Sequence, residues 1–218
     1  ERTSDEDDTT ASALETWEFF FGVVLNTSLS FLLVFRLNRA AQRFWLARQN
    51  WGIMVGTGRY LVSGILIHGR HNPTKRDDAI RWVAAYAIAT MHFMRSIRII
   101  PTQSLAGVLE ANQILKMQQA LHPPLYAADA CRWALKELFS VEEKDEDETS
   151  TSTMSTSRAI ARTQHLAQAE AQLNLIMDQE GAMERIKSTP LPLVYVTHLR
   201  TFLLAFLLSL PYIWGRAL

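Results

Sequence analysis

The chain has 218 residues, of which 48% are hydrophobic and 20% are charged, and its formal net charge is zero. A zero net charge argues against nucleic acid as a partner, and the single cysteine, Cys131, excludes an internal disulfide. These averages are ordinary for a soluble protein, but they conceal two concentrated apolar blocks near the two ends of the chain.

The first apolar block follows a polar N-terminal segment. Residues 1–16 are acidic and polar, and we expect a solvated tail or loop there. The block itself, "WEFFFGVVLNTSLSFLLVF" at residues 17–35, matches the roughly 20 residues of a transmembrane helix. A core helix of a soluble protein is the alternative. We favour a membrane span because no charge falls between Phe19 and Phe35.

The middle of the chain reads as a series of helices. The first helix is expected to continue to about His68, since no proline interrupts it. A turn at 68–73 follows, and no strand pattern occurs, so the predicted fold class is all-α. Further helices are predicted at 77–100 (ended by Pro101), 102–121, 126–143 and 157–187, with a disordered acidic loop at 142–157.

The second apolar block, at residues 190–214, is also long enough to span a membrane. Basic residues come directly after the first block and directly before the second, and such residues prefer the cytoplasmic side. We therefore predict that the residues between the two blocks lie on the inner side of the membrane. Residues 17–218 are predicted to form a single helical domain. Its two membrane-spanning helices continue into a cytosolic helical bundle at 36–189.

One side of the first helix carries a mixed polar and aromatic face. At 100° per residue, five side chains fall within about 80° of one another, and three arginines are assigned to the other side. The five are Thr27, Phe31, Phe35, Asn38 and Gln42; the arginines are Arg36, Arg39 and Arg43.

Ordinary helix packing is one interpretation of this face, and the spacing of the phenylalanines alone favours it. Polar neighbours at membrane depth favour a water-lined pore instead. A ring of phenylalanines can gate a pore by dewetting, and the positive ring edges favour anions. Phe31 and Phe35 are therefore candidate pore constriction residues.

The arginines also have two interpretations. They attract anions to an inner vestibule, or they form ion pairs that fix the cytosolic bundle, which we favour on sequence alone. No catalytic, phosphate-binding or metal-binding motif occurs. His68 and His71 are expected in a surface turn. The sequence thus predicts no enzyme, no catalytic residue, no metal ligand and no cofactor.

Two stretches resemble the bestrophin family, notably its bacterial, plant, algal and fungal branch. They are "FRLNRAAQRFWLARQNWG" at 35–52 and "ERIKSTPLPLVYVTHLR" at 184–200. The resemblance covers roughly residues 20–214. It implies a homopentameric channel for chloride and bicarbonate, in the plasma membrane or a plastid thylakoid membrane, with Thr27, Phe31 and Phe35 lining a narrow neck.

This chain also departs from the family pattern. A branched aliphatic residue is usual where Thr27 stands, so a wetter ring is implied. No segment matches the family's first or fourth transmembrane helix or the calcium clasp of its animal members, and we expect the chain to be a fragment. A non-conducting helical membrane scaffold or regulatory subunit is the alternative function.

Overall fold

The computed structural model describes residues 2–97, 99–140, 152–189 and 192–215. These ranges form helices and no strand, which confirms the predicted all-α class. The helices are α1 (Arg2–His68), α2 (Pro73–Met94), α3 (Thr102–Leu105), α4 (Ala111–Gln119), α5 (Pro123–Phe139), α6 (Ser152–Ser188) and α7 (Leu193–Gly215).

The chain divides into two compact units. The terminal unit comprises Glu1–Leu46 and Thr189–Leu218, and therefore holds the first part of α1 together with α7. The central unit, Ala47–Ser188, holds the last part of α1 and helices α2 to α6.

In the terminal unit, hydrogen bonds connect α1 to the start of α7. The Tyr195 hydroxyl donates to the Leu32 carbonyl at 3.4 Å, and Nη1 of Arg43 donates to the Thr189 carbonyl at 2.8 Å. The predicted tail at 1–16 is helical from Arg2 onward, so that prediction was wrong. The physical reason is that neither proline nor glycine interrupts this segment, so its backbone continues the helix of the apolar block.

One apolar helical stretch among the described residues meets the length and hydropathy expected of a membrane span. It lies within Thr156–Pro211, and only 6% of its apolar window is buried inside the chain. A core helix of a soluble protein would be mostly buried, so the low burial fits the predicted second span at 190–214, of which 190 and 191 lie outside the described residues. The first span, at 17–35, stays a prediction.

The central unit has a continuous apolar core. Met54, Leu61 and Ile65 of α1 join side chains from α2, α5 and α6 in one cluster of buried residues. Cys131 is fully buried there, and burial raises the pKa of its thiol to about 12. Its thiol therefore stays neutral and packs as a small apolar side chain.

The ends of α2 follow local capping rules. Asn72 caps its N-terminus by accepting a hydrogen bond from the Lys75 backbone N–H at 3.2 Å, which agrees with the predicted turn. The helix ends at Met94 instead of continuing to 100. Ser96 adopts φ of 61°, and its backbone N–H and that of Ile97 donate to carbonyls in the last turn at 3.0 Å each. This left-handed cap ends the helix before Pro101 is reached.

The predicted helix at 102–121 is divided into α3 and α4. Gly107 has φ of 81°, a left-handed conformation that glycine adopts without steric cost and that stops α3 from continuing. A capping box between Glu110 and Gln113 then starts α4. Of the predicted loop at 142–157, residues 142–151 lie outside the described part of the chain, and α6 already begins at Ser152.

Candidate pore-lining face and basic cavity

The candidate pore face of α1 is open in the isolated chain. Phe31 is 63% exposed and Phe35 is 46% exposed. Their rings lie edge to face, with centroids 4.6 Å apart. Thr27, Asn38 and Gln42 are exposed as well. These side chains are therefore available to water, lipid or another subunit, and the chain's own core does not bury the two rings.

A cavity of about 560 Å³ lies beside the inner end of this face, within the terminal unit. Phe35 and Gln42 line it together with Arg39, Arg43 and Tyr195. Helical periodicity predicted the arginines on the other side of the helix, which was wrong for Arg39 and Arg43. A step of four residues turns a helix by only about 40°, so Arg39 shares the side of Phe35.

The guanidinium groups of this region differ in their partners. Arg43 is held by its hydrogen bond to the Thr189 carbonyl. Arg36 and Arg39 are exposed, and within the described ranges no carboxylate lies at ion-pair distance from either. Among the described residues, Arg36 and Arg39 therefore do not form the intrachain ion pairs favoured on sequence alone. Their positive charge remains uncompensated by this part of the chain.

Sequence reasoning missed Tyr195. This residue lines the cavity and donates its hydroxyl hydrogen bond to the Leu32 backbone carbonyl of α1. The cavity thereby combines an aromatic wall with a backbone contact that fixes the start of α7. Only its place near the start of the second apolar block distinguished Tyr195 in the sequence, since membrane interfaces are enriched in tyrosine.

The arrangement combines two physical properties along one helix. Toward the N-terminus, an apolar, edge-to-face phenylalanine pair is exposed. Toward the C-terminus, a cavity presents cationic guanidinium groups and an amide. A cationic cavity concentrates anions, whereas an apolar constriction controls whether water and ions pass.

The chain matches known proteins over nearly its whole length. The family model for the bacterial/fungal bestrophin protein matches residues 10–217. A voltage-dependent anion channel-forming protein of Nostoc sp. (strain PCC 7120) is 27% identical over 194 residues, which are 87% of this chain and 57% of that protein. A protein of the same description from Synechocystis sp. (strain PCC 6803) is 28% identical over 212 residues, which are 91% of this chain and 62% of that protein.

Solved structures show the same fold. A point mutant of a bacterial bestrophin homologue from Klebsiella pneumoniae aligns with a TM-score of 0.69 at 19% identity, covering 88% of this chain and 66% of that one. The chain thus spans less than two thirds of the length of these relatives. Because the family model covers far more than half of the sequence, the chain belongs to the bacterial and fungal bestrophin family.

Proposed function

We propose that this chain forms the pore of an anion channel in a membrane, with α1 facing the pore. Thr27, Phe31 and Phe35 line its narrow part, which we call the neck. Asn38 and Gln42 continue the pore face inward. The observation that carries the proposal is the exposed phenylalanine pair, which leads along one helix into a cavity lined by arginines.

The neck favours anions because of the way aromatic rings carry charge. The edge of a phenyl ring is the positive end of its quadrupole, so an anion that has lost part of its hydration is better accommodated by ring edges than a cation. Since Phe31 and Phe35 already meet edge to face, a small rotation of either ring presents an edge to a passing ion. Thr27 adds a hydroxyl that keeps its own level of the neck wetter.

The basic cavity supplies the second element of selectivity. Arg39 and Arg43 raise the local concentration of anions where the pore face ends. Arg36 adds a further exposed positive charge nearby on the helix. Chloride and bicarbonate are the proposed ions, because both are small monovalent anions that a guanidinium attracts without trapping.

The proposed assembly is a homopentamer in the plasma membrane or a plastid thylakoid membrane. A single copy of α1 cannot enclose a pore, so several copies must surround a shared axis. The description of two relatives as anion channel-forming proteins supports the same function. The proposal assigns no catalytic step to any residue.

The test uses full-length protein reconstituted in a planar bilayer. In the double variant Phe31→Ala, Phe35→Ala, conductance should rise roughly two-fold or more and selectivity should weaken, because the apolar constriction is wider. Phe44→Ala is the matched control. Phe44 is 64% exposed and lies about 180° around the helix from Phe35. Unchanged conductance and selectivity in the double variant would remove these rings from the pore.

A particle-size measurement on the detergent-solubilised protein separates a channel from a scaffold. Five copies around one axis are expected for the channel. A monomer or dimer without conductance would favour a non-conducting membrane scaffold or regulatory subunit instead.

A further inference from the structure

A histidine and two glutamates meet in the central unit, far from the pore face in sequence. The side-chain ligand atoms of His122, Glu180 and Glu184 all lie within 4.8 Å of one another. His122 is the residue that caps α5, and the two glutamates occupy successive turns of α6. We propose that these three side chains form a binding site for a first-row divalent metal ion such as Zn²⁺ or Co²⁺.

The first argument is the buried and unsatisfied carboxylate. Glu180 is 7% exposed, and its Oε1 atom has no hydrogen-bond partner in the described chain. Polar atoms this deeply buried are almost always hydrogen-bonded or bound to an ion. Oε1 also faces His122, whose Nε2 is 3.9 Å away. The unsatisfied atom therefore points into the proposed site.

The second argument is the charge of the cluster. Glu180 and Glu184 are four residues apart on one helix, a spacing at which like charges repel. No lysine or arginine lies within ion-pair distance of either carboxylate in the ranges that the structure describes. The nearby Lys187 instead donates to the Phe93 carbonyl at 2.6 Å. A divalent cation would supply the missing positive charge.

The geometry and donor set suit a borderline metal ion. Ligand atoms that share one such ion at about 2.1 Å lie roughly 3–4 Å apart, so only a small contraction is required. One imidazole nitrogen with two carboxylates matches the preferences of zinc and cobalt. The His122 side chain is 30% exposed. Glu184 is also half-buried, so the site is open to solvent on the side of these two ligands.

Metal binding has a structural consequence for α5. In the metal-free chain, Nδ1 of His122 accepts a hydrogen bond from the Leu125 N–H at 3.2 Å, which leaves the proton of a neutral ring on Nε2. An ion bound at Nε2 moves that proton to Nδ1, so the Leu125 N–H loses its side-chain acceptor. Binding therefore exchanges a helix cap for a metal bond.

The test measures metal binding by the full-length, detergent-solubilised protein after treatment with a chelator. Co²⁺ is added, and its visible absorption bands report coordination. Zn²⁺ is then used in competition and in thermal unfolding. We expect one ion per chain, and a Zn²⁺-dependent rise in unfolding temperature, since a ligand that binds only the folded state stabilises it.

Two variants test the ligands without removing the fold. Glu184→Gln changes a half-buried side chain, and His122→Asn removes the imidazole but keeps a good N-cap residue. Each should weaken Zn²⁺ binding by roughly ten-fold or more, because mutating even a residue that only orients a ligand commonly costs about that much. His165→Ala is the control, because it removes an imidazole that belongs to a different contact, in which the rings of His165 and His68 stack with centroids 3.7 Å apart.

Three results would contradict the proposed metal site. Retention of full Zn²⁺ affinity in both ligand variants, or its loss in His165→Ala alone, would overturn the site. So would an unfolding temperature that responds to pH but not to Zn²⁺, which would assign the cluster to proton binding only. None of these readouts depends on ion conduction, so the site and the proposed channel function fail or stand separately.

Discussion

Replacing Glu180 with glutamine is expected to stabilise the central unit at alkaline pH and to change little at acidic pH. Burial raises the pKa of the Glu180 carboxyl from its ordinary 4.5 to about 7, and the negative charge of Glu184 adds to that rise. Glutamine has nearly the same shape and carries no charge. The substitution therefore removes only the cost of ionising a buried acid.

The direction of the effect follows from proton linkage. Below about pH 4.5 the carboxyl is neutral in both the folded and the unfolded chain. Between 4.5 and about 7 the folded chain holds a proton that the unfolded chain releases, so the stability of the wild-type protein falls as pH rises through this window. Above about 7 the carboxyl is ionised in both states, and the loss is complete.

The magnitude follows from the same shift. A rise in the pKa from 4.5 to about 7 corresponds to a loss of roughly 3.4 kcal/mol in the free energy of unfolding, at about 1.36 kcal/mol per pKa unit. Solvent that reaches the cluster through the half-buried His122 and Glu184 screens the charge and reduces this value, and we expect about 1–2 kcal/mol at pH 8.5. For a chain of this length, at about 2–4 °C per kcal/mol, that stabilisation raises the unfolding temperature by roughly 2–8 °C.

The assay is thermal unfolding of the full-length protein in detergent, with a chelator present, at pH 5 and pH 8.5. Glu180→Gln should unfold at a higher temperature than the wild type only at pH 8.5. Glu170→Gln, on the same helix, is the control for the change in charge alone, and the effect of Glu180→Gln should exceed it. Equal unfolding temperatures of Glu180→Gln and wild type at both pH values would refute the reasoning.

Three further predictions concern the pore cavity, the core and a helix cap. The double variant Arg39→Gln, Arg43→Gln should lower chloride conductance more in about 0.05 M than in about 1 M salt, because salt screens the arginine charges. An equal loss of conductance at both concentrations, or the same loss in the control Arg48→Gln, would contradict this prediction. Leu135→Ala should reduce the free energy of unfolding by about 2–5 kcal/mol, because Leu135 is fully buried in the core cluster; denaturant unfolding measures this, and a loss below about 1 kcal/mol would be inconsistent with that packing. Asn72→Ala should cost about 1 kcal/mol by removing the cap of α2, whereas Asn72→Asp, which keeps an acceptor, should cost less.

The all-α class was predictable because helical periodicity is a local sequence signal, and because no segment showed the alternating pattern of a strand. Helix boundaries were less predictable where one residue adopts an unusual backbone conformation. A left-handed glycine, such as Gly107, is a common helix terminator. The left-handed Ser96 is not, since its conformation is stabilised by two backbone hydrogen bonds that the sequence does not reveal.

The candidate site was predictable in part. Phe31 and Phe35 were identified by their spacing and by their polar neighbours, and their exposure agrees with a role outside the chain's own core. Tyr195 and the lining of the basic cavity depend on how α7 begins beside α1 within the terminal unit. That packing joins segments far apart in the chain, so no local sequence pattern predicts it.

The cluster of His122, Glu180 and Glu184 shows the same limit more clearly. The histidine precedes α5, whereas the glutamates lie within the long helix α6. No spacing rule for metal ligands joins residues that are so far apart in the chain. The packing of α5 against α6 brings them together.

Reversal potential in asymmetric chloride tests the proposed anion channel most directly. Full-length protein in a planar bilayer, with a tenfold gradient of KCl, should reverse near the equilibrium potential of chloride, about 59 mV for a monovalent ion. A reversal potential of the opposite sign would show that potassium is the conducted ion. Either that sign or the absence of any current would contradict an anion pore built around Phe31 and Phe35.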